Sequence, residues 1–218
     1  MNREWSQLNK TMQTQLGKRD TYTEGIGTLF TLRENIIRVL TELTDNLTKE
    51  QLCAMPYPDA EGYHSKTIAY SLWHIFRIED IVAHTLINAD EQVFFSGGYK
   101  ERTGSPIITT GNELAGQQIA EFSAALDIGA LREYITEVKK STEDIISSLS
   151  YDDMKRKIPP ERKEELVSLG VVSEDESASW LIDYWCGKDI RGLIKMPFSR
   201  HWIMHTEASL RIRDRLMR

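Results

Sequence analysis

Along this chain apolar residues recur at intervals of three and four over long stretches, whereas β-branched runs such as Pro106-Ile107-Ile108-Thr109-Thr110 are short. That period belongs to helices with one buried face, so an all-α fold is expected. The first stripe, Leu29, Leu32, Ile36, Val39, Leu40, Leu43 and Leu47, predicts a helix over residues 27–46. Thr48-Lys49-Glu50-Gln51 has the form of a capping box opening a short helix, which Pro56 and Pro58 end by denying it backbone donors.

A second long helix is predicted over 65–89, with Ser65 as its N-cap and an unusually broad apolar arc through Ile68, Leu72, Ile75, Ile78, Val82 and Leu86. Glycines at 97, 98, 104 and 111, with Pro106, mark an irregular connection over 96–111, long enough to be a lid or a binding loop. Helical pattern resumes near Asn112, and a third long helix starts at Asp127 and carries Leu131, Tyr134, Ile135, Val138, Ile145, Ile146 and Leu149. Residues 151–197 are the least regular part, with Pro159-Pro160, Gly170 and an acidic turn before Ser177, and are expected to form short helices around the bundle. From Phe198 to the end the helical period returns. Four long helices with accessory pieces describe one four-helix-bundle domain over 1–218, elaborated at about 151–197.

Apolar residues make up 40% and charged residues 28% of the 218, ordinary globular usage rather than that of a disordered chain. A formal charge of −6 gives no field to attract nucleic acid or an anionic membrane. Residues 1–18 lack the apolar core of a signal peptide and no run is long enough to span a bilayer, so a cytoplasmic protein is expected. Cys53 and Cys186 stand far apart without a Cys-x-x-Cys partner, which disfavours a disulfide scaffold or a thiolate zinc site. No Gly-x-Gly-x-x-Gly, Walker or Gly-x-Ser-x-Gly sequence is present.

The candidate chemistry lies in histidines. His201 and His205, four residues apart, fall about 40° from one another on the last helix. They share its apolar face with Phe198, Ala208, Ile212 and Leu216, while Arg200, Glu207, Arg211 and Asp214 gather opposite. On the second helix the broad arc holds two titratable side chains, His74 and Glu79, with Arg77, Asp80 and His84 assigned to the polar side. Two buried neighbouring imidazoles need partners for their nitrogens, and a shared metal supplies one. A third inward histidine on a facing helix makes three neutral nitrogen ligands with positions left open. His64 and His84 have no helical partner on their faces and are expected to be solvated, and the five tryptophans to pack core and interface.

The stretch from Ile68 to Asp80, Ile-Ala-Tyr-Ser-Leu-Trp-His-Ile-Phe-Arg-Ile-Glu-Asp, followed downstream by His201-Trp202-Ile203-Met204-His205, resembles the DinB-like superfamily of four-helix bundles. The resemblance implies that His74, His201 and His205 bind one divalent metal ion, with zinc, nickel and iron all suited to imidazole ligands. Where many members continue with a His-Arg-Gly-Gln-like stretch, this chain has Thr206-Glu207-Ala208. The resemblance further implies a metal-dependent transferase moving a low-molecular-weight thiol such as bacillithiol or mycothiol to an electrophile. The alternatives are a metal-dependent hydrolase and a non-catalytic, metal-stabilised stress protein.

Glu79 reads as an outer-shell acceptor or base near the metal, or as the ion-pair partner of an arginine on a neighbouring helix. Arg77, Lys100 and Arg102 are the candidate basic groups for a thiol's carboxylates. Ile203, Leu210 and Met217 form a second apolar line on the last helix that suits a homodimer. Unperturbed imidazoles, pKa about 6.5, predict metal loss beginning below about pH 6.

Overall fold

The computed structural model describes residues 2–218. The helices begin where the sequence supplies an oxygen for their free amides. Asn2 accepts from the amides of Glu4 and Trp5 to open α1 (Arg3–Gln15). Thr48 and Gln51 form the expected capping box on α3 (Lys49–Leu52), just after α2 (Tyr22–Asn46). α4 (Ile68–Asp80) is capped by Thr67 rather than Ser65, and continues as a wider π-helical segment, Ile81–Asn88. Two short helices follow, α5 (Val93–Ser96) and α6 (Tyr99–Thr103), then α7 (Gln117–Ala125) and α8 (Ile128–Ser148), the last capped by Asp127. The segment 151–197 holds α9 (Pro160–Ser168), α10 (Glu176–Cys186) and α11 (Ile190–Lys195). A π-helical turn, Met196–Arg200, leads into α12 (His201–Leu216). No β-strand occurs among the described residues.

The long helices α2, α4, α8 and α12 form the bundle, with α4 packed on both α8 and α12. All thirteen residues of α4 are buried, and the π-helical segment stays buried to Ile87. α4 is thus the central helix, which explains its broad apolar arc and corrects the assignment of Arg77, Asp80 and His84 to a solvated side. The connection after α4 folds back over that side and supplies partners. Arg77 donates to the carbonyl of Ile108 at 2.8 Å and lies over the Phe94 ring. Asp80 accepts from the amides of Val93 and Phe94 and from the Tyr134 hydroxyl. His84 is held between Asp90 at 2.7 Å and Ser141 at 3.0 Å.

The N-terminal stretch adds a helix that polarity alone did not predict. α1 lies along α2, seated by the buried side chains of Trp5 and Met12, with Leu16 at its end. α2 starts earlier than residue 27, and Gly25 is needed there, since a Cβ would come within 2.9 Å of Leu16. Helical structure after the connection resumes at Gln117 rather than Asn112. The short helices of 151–197 close a second apolar cluster around Ile78, Ile81, Val82 and Leu86, in which Leu166, Leu181, Trp185 and Leu193 are buried. On α12 Ile203 is buried within the chain, and Met217 is the exposed member of its line. No helix among the described residues is long and apolar enough to cross a membrane.

Candidate metal centre

α4 and α12 pack against each other, and their contact brings His74 opposite the His201–His205 pair. The ring centroids stand 5.0 Å (His74–His201), 4.8 Å (His74–His205) and 4.6 Å (His201–His205) apart. One nitrogen from each ring lies within 4.8 Å of the others, and all three residues are buried. Nitrogens held at about 2.1 Å from one tetrahedral ion lie about 3.4 Å apart, so modest side-chain rotations close the set.

The polar accounting points the same way. His74 Nδ1 lies 2.7 Å from the carbonyl oxygen of Thr110. A carbonyl only accepts, so Nδ1 carries the proton and the lone pair of Nε2 is left for another partner. Nδ1 of His201 and both ring nitrogens of His205 are buried with no hydrogen-bond partner. Leaving such groups unmatched in a core is costly, and a cation accepting the one lone pair of each ring removes part of that cost. Burial pushes the His74 imidazole down to about 4. Burial, and next the neighbouring histidines, hold His201 and His205 well below the ordinary imidazole range. Neutral rings are the form that ligates a metal.

Residues with no side-chain signal in the sequence complete the surroundings. Thr110 acts through its backbone, at the end of the connection that 96–111 was expected to form. Tyr70 stacks on His74 at 5.4 Å, and its hydroxyl donates to the carbonyl of Gly111 at 2.9 Å. Tyr63 sits edge-on to His205 at 4.7 Å. Pro197 supplies no amide to the helix ladder, and there the backbone widens into the π-helical turn that delivers His201. Against the three imidazoles opens a cavity of about 220 Å³, walled by Tyr63, Trp180, Leu181, Tyr184, Met196 and Pro197.

Other expected site residues lie elsewhere. Glu79 forms a two-pronged, fully buried ion pair with Arg33 of α2 at 2.7 and 2.9 Å and accepts from Trp202 Nε1 at 2.8 Å. Its bonds are therefore those of the interhelical ion pair, and none reaches a ligating imidazole. Arg77 is sealed in the core, and Arg102 lies over Tyr99 and pairs with Glu133. Neither they nor Lys100 line the cavity. The basic side chain beside the triad is Lys66, half-buried, with its Nζ 5.0 Å from the Tyr70 ring centroid. Of the tryptophans, Trp180 is 51% exposed rather than packed in the core.

His64 bonds Arg211, apart from the triad. The Ser141–His84–Asp90 line has the polarity of a nucleophile relay, but an oxyanion needs free amides beside the serine. Ser141 is in mid-helix, and the nearby amides of Val93 and Phe94 are already bonded to Asp80.

The sequence profile of the DinB superfamily matches residues 33–172, more than half of the chain. The matched span contains His74 and ends before His201 and His205. No curated protein matches the chain.

Proposed function

This chain belongs to the DinB superfamily, and from that premise we propose that it is a metal-dependent enzyme transferring a low-molecular-weight thiol to an electrophilic small molecule. The observation that carries the reading is the cavity lying directly against three buried imidazoles, of which His201 and His205 hold ring nitrogens without protein partners and His74 turns only its Nδ1 to the protein. A divalent ion held by His74, His201 and His205, whether zinc, nickel or iron, would supply Lewis acidity that lowers the pKa of a thiol or water in the cavity.

The chain's own residues provide orientation and dryness. Thr110 fixes the tautomer and plane of His74, while Tyr70 and Tyr63 cover two of the rings. No carboxylate lines the cavity, and Glu79 is turned to Arg33. A thiol, pKa about 8.5, ionises more readily than water, about 15.7, and stays the more easily formed nucleophile when both are lowered together. In the transfer a sulfur–carbon bond forms, the bond to the leaving group breaks with its electron pair, and the thiol proton passes to solvent.

The test is consumption of monochlorobimane by metal-loaded protein with bacillithiol, mycothiol or glutathione. The reading expects at least one thiol to react faster than without protein, with release of chloride, and the gain to vanish in His205→Ala. No acceleration by any of the three would overturn thiol transfer, and hydrolysis of ester or amide substrates by the same sample would replace it.

A further inference from the structure

Resting on that reading, we infer that the cavity beside the triad receives a neutral, ring-sized apolar group of the electrophile, and that α10 sets this preference. α10 is built to present such a wall. Asp175 caps it by accepting from the Ser177 amide, and Ala178, Leu181 and Trp185 bury its inner face. Trp180 and Tyr184, four residues apart, share another face and meet edge-to-face at 5.5 Å. Trp180 Nε1 donates to the carbonyl of Ser177 at 2.9 Å, which holds the indole in place.

Half of Trp180 nonetheless stands in water, as does 38% of Tyr63, which lines the same cavity. Large aromatic side chains left exposed in the lining of a cavity are surfaces for a further ring. Apart from the histidines the lining is apolar or aromatic, with Asn112 as a neutral polar group and no charged side chain. Lys188 lies over Tyr184 and does not line the cavity. On the α10 wall, away from the imidazoles, a charged substrate group would lose its water without compensation, whereas a neutral ring gains contacts.

Size narrows the class. An apolar cavity of about 150 Å³ accepts benzene. One of about 220 Å³ has room for a substituted single ring but not for a whole thiol cofactor as well. The bulk of the thiol must therefore lie outside. α10 lies beyond residue 172, where the family match ends, as do His201 and His205.

The experiment is equilibrium dialysis of the protein, without thiol and both metal-loaded and metal-free, against 1-chloro-2,4-dinitrobenzene and against 4-chloro-3,5-dinitrobenzoate, a similar ring bearing a carboxylate. The metal-free arm removes the bond that a carboxylate can make to the ion. In the metal-free protein the neutral compound is expected to bind at least about tenfold more tightly. Trp180→Ala should weaken that binding about tenfold and Trp180→Phe much less, with metal content and thermal unfolding unchanged in both. Equal or tighter binding of the carboxylate by the metal-free protein, or unaltered affinity in Trp180→Ala, would overturn the assignment. Selective binding without turnover by any thiol would sink the transferase reading and leave the ring site standing. Turnover without selection would do the reverse.

Discussion

The Nδ1 of His74 and the carbonyl oxygen of Thr110 lie 2.7 Å apart, and this one bond decides which nitrogen of the central histidine faces the site. Its acceptor belongs to a connection held by Tyr70, whose hydroxyl bonds the next carbonyl, that of Gly111. Gly111 has φ +77°, and a Cβ there would meet the Tyr70 ring at 3.1 Å. Gly111→Ala should therefore shift the Thr110 carbonyl. We expect metal affinity, read by competition with a chromophoric chelator, to fall on the order of tenfold, as outer-shell changes commonly cause. An unaltered dissociation constant in a folded variant would show that His74 needs no such support.

Glu79→Gln should act on stability and spare the site. Arg33 would lose its main partner in a fully buried position, keeping Glu143 at 3.0 Å and the carbonyl of Phe198. Removing one member of a buried ion pair costs about 3–5 kcal/mol, and the remaining partners place this case near 3 kcal/mol. Urea denaturation measures it. A stable variant with weakened metal binding would instead make Glu79 part of the metal's surroundings.

The pH dependence follows from burial. In the unfolded chain the three histidines titrate near 6.5, whereas in the folded metal-free protein His74 titrates at about 4 and the other two well below their ordinary range. Between those values the unfolded state binds more protons, so metal-free stability falls as pH drops below 6.5. The loss is on the order of 1 kcal/mol per histidine at about pH 5.5. Because the folded rings stay neutral, metal should be retained through about pH 6 and released only below about pH 5, lower than ordinary imidazoles imply. Dialysis across this range followed by metal analysis, with parallel thermal melts of the metal-free form, checks both. Release already complete at pH 6 would contradict the burial argument.

How far the sequence discloses this arrangement depends on the kind of signal each residue leaves. The four bundle helices were legible because Leu32, Ile36 and Leu40, or Leu131, Tyr134 and Val138, repeat the helical period strongly, and the His201–His205 pair because four residues put two side chains on one face. Arg77, Asp80 and His84 were misplaced because a helical wheel treats charge as solvated and cannot see a connection returning to supply Ile108, Phe94 and Asp90 as partners. α1 was missed because few apolar residues, chiefly Trp5, Met12 and Leu16, seat an otherwise polar helix. Thr110 was invisible because a backbone carbonyl has no residue signature. Trp180 and Tyr184 are spaced to share a face, yet only the packing of α10 shows that the face borders the histidines.

The central claim is that His74, His201 and His205 together hold one divalent ion. Inductively coupled plasma mass spectrometry of the purified protein, after equilibration with zinc, nickel or ferrous iron and removal of free metal, measures it directly. The account predicts about one equivalent per chain, and none in the variant with all three histidines changed to alanine, whose helical circular dichroism persists. Metal retained by that variant, or none bound by the unaltered chain with any of the three ions, would contradict it.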